Sequence, residues 1–208
     1  MAHYAAQMRA RVIVLAGPSG SGKSRLAERL ALPLLRLDDF YRDGDDPDLP
    51  QSDIGIVDWD DPASWDAASA CEAIAALCHD GHVDAPVYDI AANARVGHRE
   101  LVLNGSAFIV AEGLFAPEIV AECMRRDLLA DAICVRHPRM VTFVLRLVRD
   151  LREHRKPPLV LLRRGWRLLL TEPQVVAYAV ARGCEPMSPG AAERRLGSCS
   201  NRPAAERR

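Results

Sequence analysis

The chain reads as an α/β fold, a parallel core sheet covered by helices on both faces. Three observations lead there. Short, continuously apolar runs at 12–16, 107–113 and 132–136 have the composition of strands buried on both sides. Segments with helical apolar spacing separate them, so strands and helices alternate along the chain. A glycine-rich loop, Gly17–Ser24, joins the first strand to the first helix and fits G-x-x-x-x-G-K-[ST], the phosphate-binding P-loop.

In order, residues 1–10 read as a loose arm, and Val12–Ala16 as the first strand. A helix over 22–31 follows, with Leu26, Ala27, Leu30 and Ala31 on one face and Glu28 and Arg29 turned outward. Pro33 breaks it, and 34–37 form a short second strand ending at Asp38-Asp39-Phe40-Tyr41. The acidic, turn-rich stretch 42–61 is expected to be a long surface loop, a feature that in compact domains is often functional. Pro62 suits the first position of a helix capped by Asp60 or Asp61 and running to about 79, where Gly81 ends it. Residues 83–89 are extended, and 98–105 suggest a small antiparallel ribbon turning at Asn104-Gly105. Helices are expected over 117–129, over 138–153 on a basic segment, again after Pro157-Pro158, and over 174–181. From 188 the chain turns polar and rich in Arg and Ala. The expected organisation is one domain, 1–190, with a flexible tail at 191–208, and the sequence has no internal repeat.

Composition excludes several classes. Half the residues are hydrophobic and 26% charged, ordinary for a water-soluble globular chain, and 208 residues suit one domain. A net charge of −1 and the lack of interleaved exposed aromatics argue against nucleic acid as partner. No apolar run reaches the 18 residues of a membrane span, and the N-terminus lacks the apolar centre of a signal peptide. Six cysteines without C-x-x-C pairing read as reduced core thiols, and a cytoplasmic location is expected. His79, His82, His98, His137 and His154 show no metal-ligand spacing with them, so no zinc is expected.

The chemistry gathers at strand ends. Gly20 and Gly22 lack a Cβ, so the loop backbone can wrap a phosphate closely, and the helix after Gly22 aims its positive end at the same point. Gly17, Ser19, Gly20, Ser21, Gly22, Lys23 and Ser24, with Arg25 beside them, are expected to hold the nucleotide phosphates; Lys23 supplies a full charge and Ser24 a hydroxyl for Mg²⁺. Asp38, just past the second strand, sits where a general base for phosphoryl transfer would act, although a helix-cap or turn role suits it too. Glu112, before Gly113 at the end of another core strand, suits a Mg²⁺ or water partner; a plain strand-end acid is the alternative. Arg146, Arg149 and Arg152 recur at three-residue spacing, a basic face that could close over phosphates or simply be solvated. Tyr88 could stack on a flat substrate or merely pack.

The order of these motifs carries a resemblance. Gly17–Ser24, Leu37-Asp38-Asp39-Phe40-Tyr41, Asp58-Trp59-Asp60-Asp61-Pro62, Pro86-Val87-Tyr88-Asp89, Glu112-Gly113-Leu114 and Arg146-Leu147-Val148-Arg149-Asp150 together resemble the uridine kinase / phosphoribulokinase family over about 11–156. The resemblance implies a three-layer P-loop NTPase fold with a small β-ribbon substrate insert and a helical lid at about 138–156. It implies transfer of the γ-phosphoryl of ATP to a hydroxyl, in uridine kinases the 5′-hydroxyl of a pyrimidine nucleoside, with Mg²⁺. It casts Asp38 as the base, Ser24, Glu112 and Asp38 as metal partners, and Lys23, Arg146 and Arg149 as phosphate-facing cations. Asp60, Tyr41 and Tyr88, with Arg149, fall on the acceptor side, Asp60 as the carboxylate for ribose hydroxyls. Ile90 and Asn93 stand where the family's pyrimidine kinases carry an aromatic and a histidine. Uridine kinases are often tetramers, so a homo-oligomer is a further expectation of the resemblance. Two rivals remain: a kinase of a non-nucleoside alcohol, and a nucleotide-binding switch that signals to a protein partner. The absent N-K-x-D guanine motif weighs against the switch.

Overall fold

The computed structural model describes residues 9–137 and 173–200. Five strands form one parallel sheet: β1 (Arg11–Ala16), β2 (Leu34–Arg36), β5 (Phe108–Glu112), β6 (Leu129–Val135) and β7 (Glu185–Met187), in the order β2-β5-β1-β6-β7. A separate antiparallel ribbon pairs β3 (His82–Asp89) with β4 (Ala94–Val102).

Alternation along β1 divides the core. Val12, Val14 and Ala16 point to one face, where they meet Ile74 and Leu77 of α2 (Ala67–Asp80) and Val120 and Cys123 of α3 (Val120–Arg125). Ile13 and Leu15 point to the other, packing with Leu26 and Leu30 of α1 (Lys23–Leu30) and with Ala192 and Leu196 of the last helix. All five of these β1 side chains are fully buried. The three-layer α/β architecture expected from the sequence is therefore present.

The boundaries differ from the expectation in four places. The helix expected from Pro62 is split. Pro62–Ser64 forms one 3-10 turn, capped as foreseen by Asp61, whose Oδ1 accepts the Ala63 N–H at 2.8 Å. The chain then extends at Trp65 so that its buried indole reaches the Leu37 carbonyl, Nε1 donating at 2.7 Å. Asp66 restarts the helix as the cap of α2, accepting the Ser69 N–H at 2.9 Å.

Second, the ribbon spans 82–102 and reverses at 90–93, where Asp89 Oδ1 accepts the Ala91 N–H at 2.8 Å and Asn93 takes a φ of 49°. Asn104-Gly105 is a turn with positive φ at both residues, but it delivers the chain to β5, because the Ala107 carbonyl is claimed by the Arg11 N–H of the main sheet. Third, the region 117–129 holds a 3-10 turn, Ala116–Ile119, and the short α3 before β6 begins.

Fourth, the stretch expected as a polar tail from 191 is helical as far as 200. A helical stretch over 173–181 (α4) leads to β7, and α5 (Pro189–Ser200) lays Ala192 and Leu196, both fully buried, against α1. Arg29 and Glu193 pair at 3.0 Å beside that contact. The Arg-rich composition concealed two apolar positions four residues apart, enough to seat one helical face.

Candidate functional site

The sheet order sets the site. β1 lies at the centre with β5 next to it and β2 beyond, all parallel, so their carboxyl ends open side by side. Leu15 of β1 pairs with Glu112 of β5, and Glu112 pairs with Arg36 of β2. The P-loop leaves β1, Glu112 closes β5, and a 3-10 turn, Leu37–Phe40, carries Asp38 off β2.

The loop has the backbone expected of an anion cradle. Gly17 (φ 131°) passes so close to β6 that a Cβ there would lie 2.3 Å from the Val135 carbonyl oxygen. Gly20 and Gly22 have φ of 80° and 89°, and a Cβ on Gly22 would meet open space. Lys23 Nζ folds back over the loop, donating to the carbonyls of Gly17 at 2.6 Å and Pro18 at 3.2 Å. No side chain caps α1, leaving its N-terminal end to an anion. Ser21 is fully buried beneath the loop, whereas Ser19, Ser24 and Arg25 are exposed.

Ser24 and Glu112 meet: the hydroxyl donates to Oε1 at 3.0 Å. Burial pushes the Glu112 carboxyl above its ordinary range; Lys23 and the Ser24 hydroxyl oppose the rise, and the nearby Asp38 adds to it. A hydroxyl and a carboxylate with a second carboxylate close by form an all-oxygen donor set, the type a small hard divalent cation selects. These oxygens fit Mg²⁺: the buried carboxylate is repelled by a neighbouring one, and Lys23 and Arg36 offset its burial only in part.

Asp38 is exposed, yet held. Its Oδ1 accepts the Leu114 N–H at 2.9 Å. Gly113 makes that approach possible: a Cβ there would lie 2.8 Å from Asp38 Oδ1 and 2.8 Å from Leu37 Cβ. Its φ is not positive, so its role is the space it leaves, rather than the sharp turn that a strand-end glycine suggests.

Beyond Asp38 lies an aromatic wall. The Tyr41 ring contacts Trp59 (5.7 Å between centroids), Tyr88 (5.7 Å) and Phe115 (5.8 Å). Burial raises the Tyr41 phenol, and the charges of Asp38 and Asp60 raise it further, which places Tyr41 among those two carboxylates. Its hydroxyl donates to the Trp59 carbonyl at 3.3 Å. Tyr88 leans on Tyr41 and donates its hydroxyl to the Arg42 carbonyl at 3.1 Å, so this ring also has a packing role. Asp60 is exposed, its N–H donating to Asp58 Oδ1 at 3.1 Å.

The P-loop, Asp38, Glu112, Tyr41, Asp60 and Tyr88 thus gather at one end of the sheet. Arg146 and Arg149, with the expected lid at 138–156, lie outside the described residues. Sequence reasoning missed Trp59, Phe115 and the Leu114 N–H. The two aromatics lie within or beside motifs already singled out, but nothing local marks a ring as facing Tyr41, and a backbone donor has no sequence signal.

The model of the phosphoribulokinase / uridine kinase family matches residues 12–156. A stretch of 112 residues, 50% of the chain, is 29% identical to inorganic pyrophosphatase TTM1 of Arabidopsis thaliana, covering 16% of that protein. A match of the same length and identity covers 22% of uridine kinase from Saccharomyces cerevisiae. The match therefore spans less than a quarter of either relative's length. Among solved structures, a Silicibacter sp. TM1040 protein described as a fructose transport system kinase aligns with a TM-score of 0.57 at 19% identity, over 85% of this chain and 88% of that one. That likeness concerns the fold. No helix among the described residues is long and apolar enough to cross a membrane.

Proposed function

The chain belongs to the phosphoribulokinase / uridine kinase family, and from that premise we propose that it is an ATP-dependent small-molecule kinase. It moves the γ-phosphoryl of ATP to a substrate hydroxyl, with a nucleoside 5′-hydroxyl as the first candidate. The observation that carries this reading is the contact between Ser24 and Glu112 at the end of the P-loop, with Asp38 fixed one strand away.

Each residue then has a task. The loop from Gly17 through Ser24 binds the phosphates of ATP through backbone N–H groups, and Lys23 exchanges its two carbonyl partners for phosphate oxygens. Bound Mg²⁺ supplies charge neutralisation on the terminal phosphates; Ser24 and Glu112, with Asp38, would hold it. Asp60, Tyr41 and Tyr88 orient the acceptor. Asp38 receives the hydroxyl proton as the acceptor oxygen bonds to the γ-phosphorus and the bond to the β–γ bridging oxygen breaks, leaving ADP. Arg146 and Arg149 offset the charge on the transferring group, and closure over the site would exclude water that otherwise hydrolyses ATP.

A non-nucleoside alcohol is the second reading. Ile90 is 76% exposed at the ribbon turn, and Asn93 gives its backbone carbonyl to the Gly44 N–H at 2.7 Å, so neither offers the ring that pyrimidine kinases present there. A panel of nucleosides, sugars and vitamins with Mg²⁺–ATP tests both readings by ADP release. Release that depends on one class of acceptor identifies it; release indifferent to every acceptor but accelerated by a protein partner overturns the kinase reading.

A further inference from the structure

Asp39 follows Asp38 in the same 3-10 turn and faces the ribbon with both carboxylate oxygens. The ribbon register shifts between Val87 and Tyr88, where β4 carries one extra residue, Val96. The Tyr88 N–H donates to Asp39 Oδ1 at 3.3 Å. Asp39 Oδ2 lies 3.9 Å from Arg99 Nη2 on β4, the strand partner of Ala85. One side chain therefore holds both strands of the ribbon, and it is the immediate neighbour of Asp38.

We propose that Asp39 is a positioning residue that clamps the acceptor-side ribbon to the turn carrying the base. Asp38 is fixed by the Leu114 N–H on one side of this turn, and Tyr88 is fixed by Asp39 on the other. The base and the Tyr88 face of the acceptor site then move as one piece. Other ties between ribbon and body run through the Tyr88 side chain, which leans on Tyr41 and donates to the Arg42 carbonyl, and through 93–95 toward the ribbon turn. The Arg95 N–H donates to Asp43 Oδ1 at 2.7 Å, and the Asn93 carbonyl accepts the Gly44 N–H. Asp39 is the side chain that ties the Tyr88 backbone to the turn. The Asp39 side chain is 17% exposed and that of Arg99 43%, so the hydrogen bond carries more of the clamp than the longer, wetter ion pair.

The inference rests on the kinase reading for its consequence, though not for its geometry, and the test separates the two. The first readout is amide hydrogen exchange at Tyr88 in the ligand-free chain. Asp39→Ala should speed that exchange about tenfold, the scale of one lost hydrogen bond, while Asp39→Asn, which keeps an acceptor oxygen, stays near the parent. The second is steady-state kinetics with uridine, or with whichever acceptor the panel returns. Asp39→Ala should raise the acceptor KM about tenfold and leave the ATP KM within about twofold, with Asp39→Asn restoring most of the loss. Asp39→Ser, one atom too short to reach the Tyr88 N–H, repeats both arms should the alanine variant not fold. Unchanged Tyr88 exchange in Asp39→Ala overturns the clamp. An equal rise in both KM values overturns its specific role and leaves only general support of the fold. A parent protein that phosphorylates no acceptor refutes the kinase reading alone, and the exchange arm still decides the clamp.

Discussion

Replacing Gly113 by alanine tests how the base is held. The new methyl would stand 2.8 Å from Asp38 Oδ1 and from Leu37 Cβ, about 0.6 Å short of ordinary contact at 3.4 Å. Leu37 has little room to yield: it is fully buried and its carbonyl is tied to the Trp65 indole. The Asp38 carboxylate is exposed, so it gives way and loses the Leu114 N–H. A misplacement of about 1 Å costs on the order of 10²-fold in rate, so a shift of this size should lower kcat by roughly 10- to 100-fold. Overpacking beside Leu37 should also cost about 1–3 kcal/mol of stability. Acceptor-dependent ADP release measures the first effect, thermal unfolding the second, and ATP titration should show affinity within about twofold of the parent. A kcat near the parent value, or a parallel loss of ATP binding, would refute the argument that Gly113 exists to admit Asp38.

Other residues give independent tests. Because burial raises the Glu112 carboxyl, its protonated form persists above the usual glutamate range; affinity for Mg²⁺–ATP should weaken as pH falls toward that raised value, and Glu112→Gln, measured by calorimetry across pH, should flatten the dependence. The same shift means that Glu112 contributes stability to the nucleotide-free chain below its unfolded pKa and loses it as pH rises through the folded value. Leu196→Ala should cost about 2–5 kcal/mol in denaturant unfolding, since that side chain is fully buried between α5 and α1; a cost below about 0.5 kcal/mol would mean that the C-terminal helix does not seat there. Asp66→Ala should cost roughly 1 kcal/mol by removing the cap that accepts the Ser69 N–H and hydroxyl and pairs with Arg95. Burial pushes the thiols of Cys78, Cys123 and Cys184 up to about 12, so these three should resist iodoacetamide at pH 8 until the chain unfolds, as mass spectrometry of labelled peptides would show.

What the sequence made legible followed from strong local signals. The unbroken apolar run at 12–16 and the glycine loop after it specify β1, the cradle and α1 with little help from the rest of the chain. Asp38 and Glu112 were readable because a parallel sheet sends its strand ends to one crevice. Where tertiary contacts outweighed local propensity, the reading failed. Trp65 interrupts the expected helix because its indole has a buried partner in Leu37, a residue 28 positions away. Asn104-Gly105 has the composition of a hairpin turn, but the next residues join the main sheet and the ribbon reverses at 90–93 instead. α5 was hidden by its arginines: its seat on α1 rests on Ala192 and Leu196, too few apolar positions to outweigh a polar average. Within the site, the sequence reading missed the rings of Trp59 and Phe115 against Tyr41 and two backbone contacts, the N–H of Leu114 to Asp38 and that of Tyr88 to Asp39.

The central claim is a division of labour: the loop at Gly17–Ser24 with Glu112 holds the nucleotide, and Asp38 accepts the proton of the attacking alcohol. Asp38→Asn separates the two, because asparagine keeps the oxygen that the Leu114 N–H needs but cannot take a proton. The direct measurement pairs ATP titration with acceptor-dependent ADP release in the parent and in this variant. The account predicts ATP affinity within a few-fold of the parent and turnover lower by at least about 10²-fold, the lower end of a general base's contribution. Turnover near the parent rate, or no ATP binding by the parent in the presence of magnesium, would contradict it.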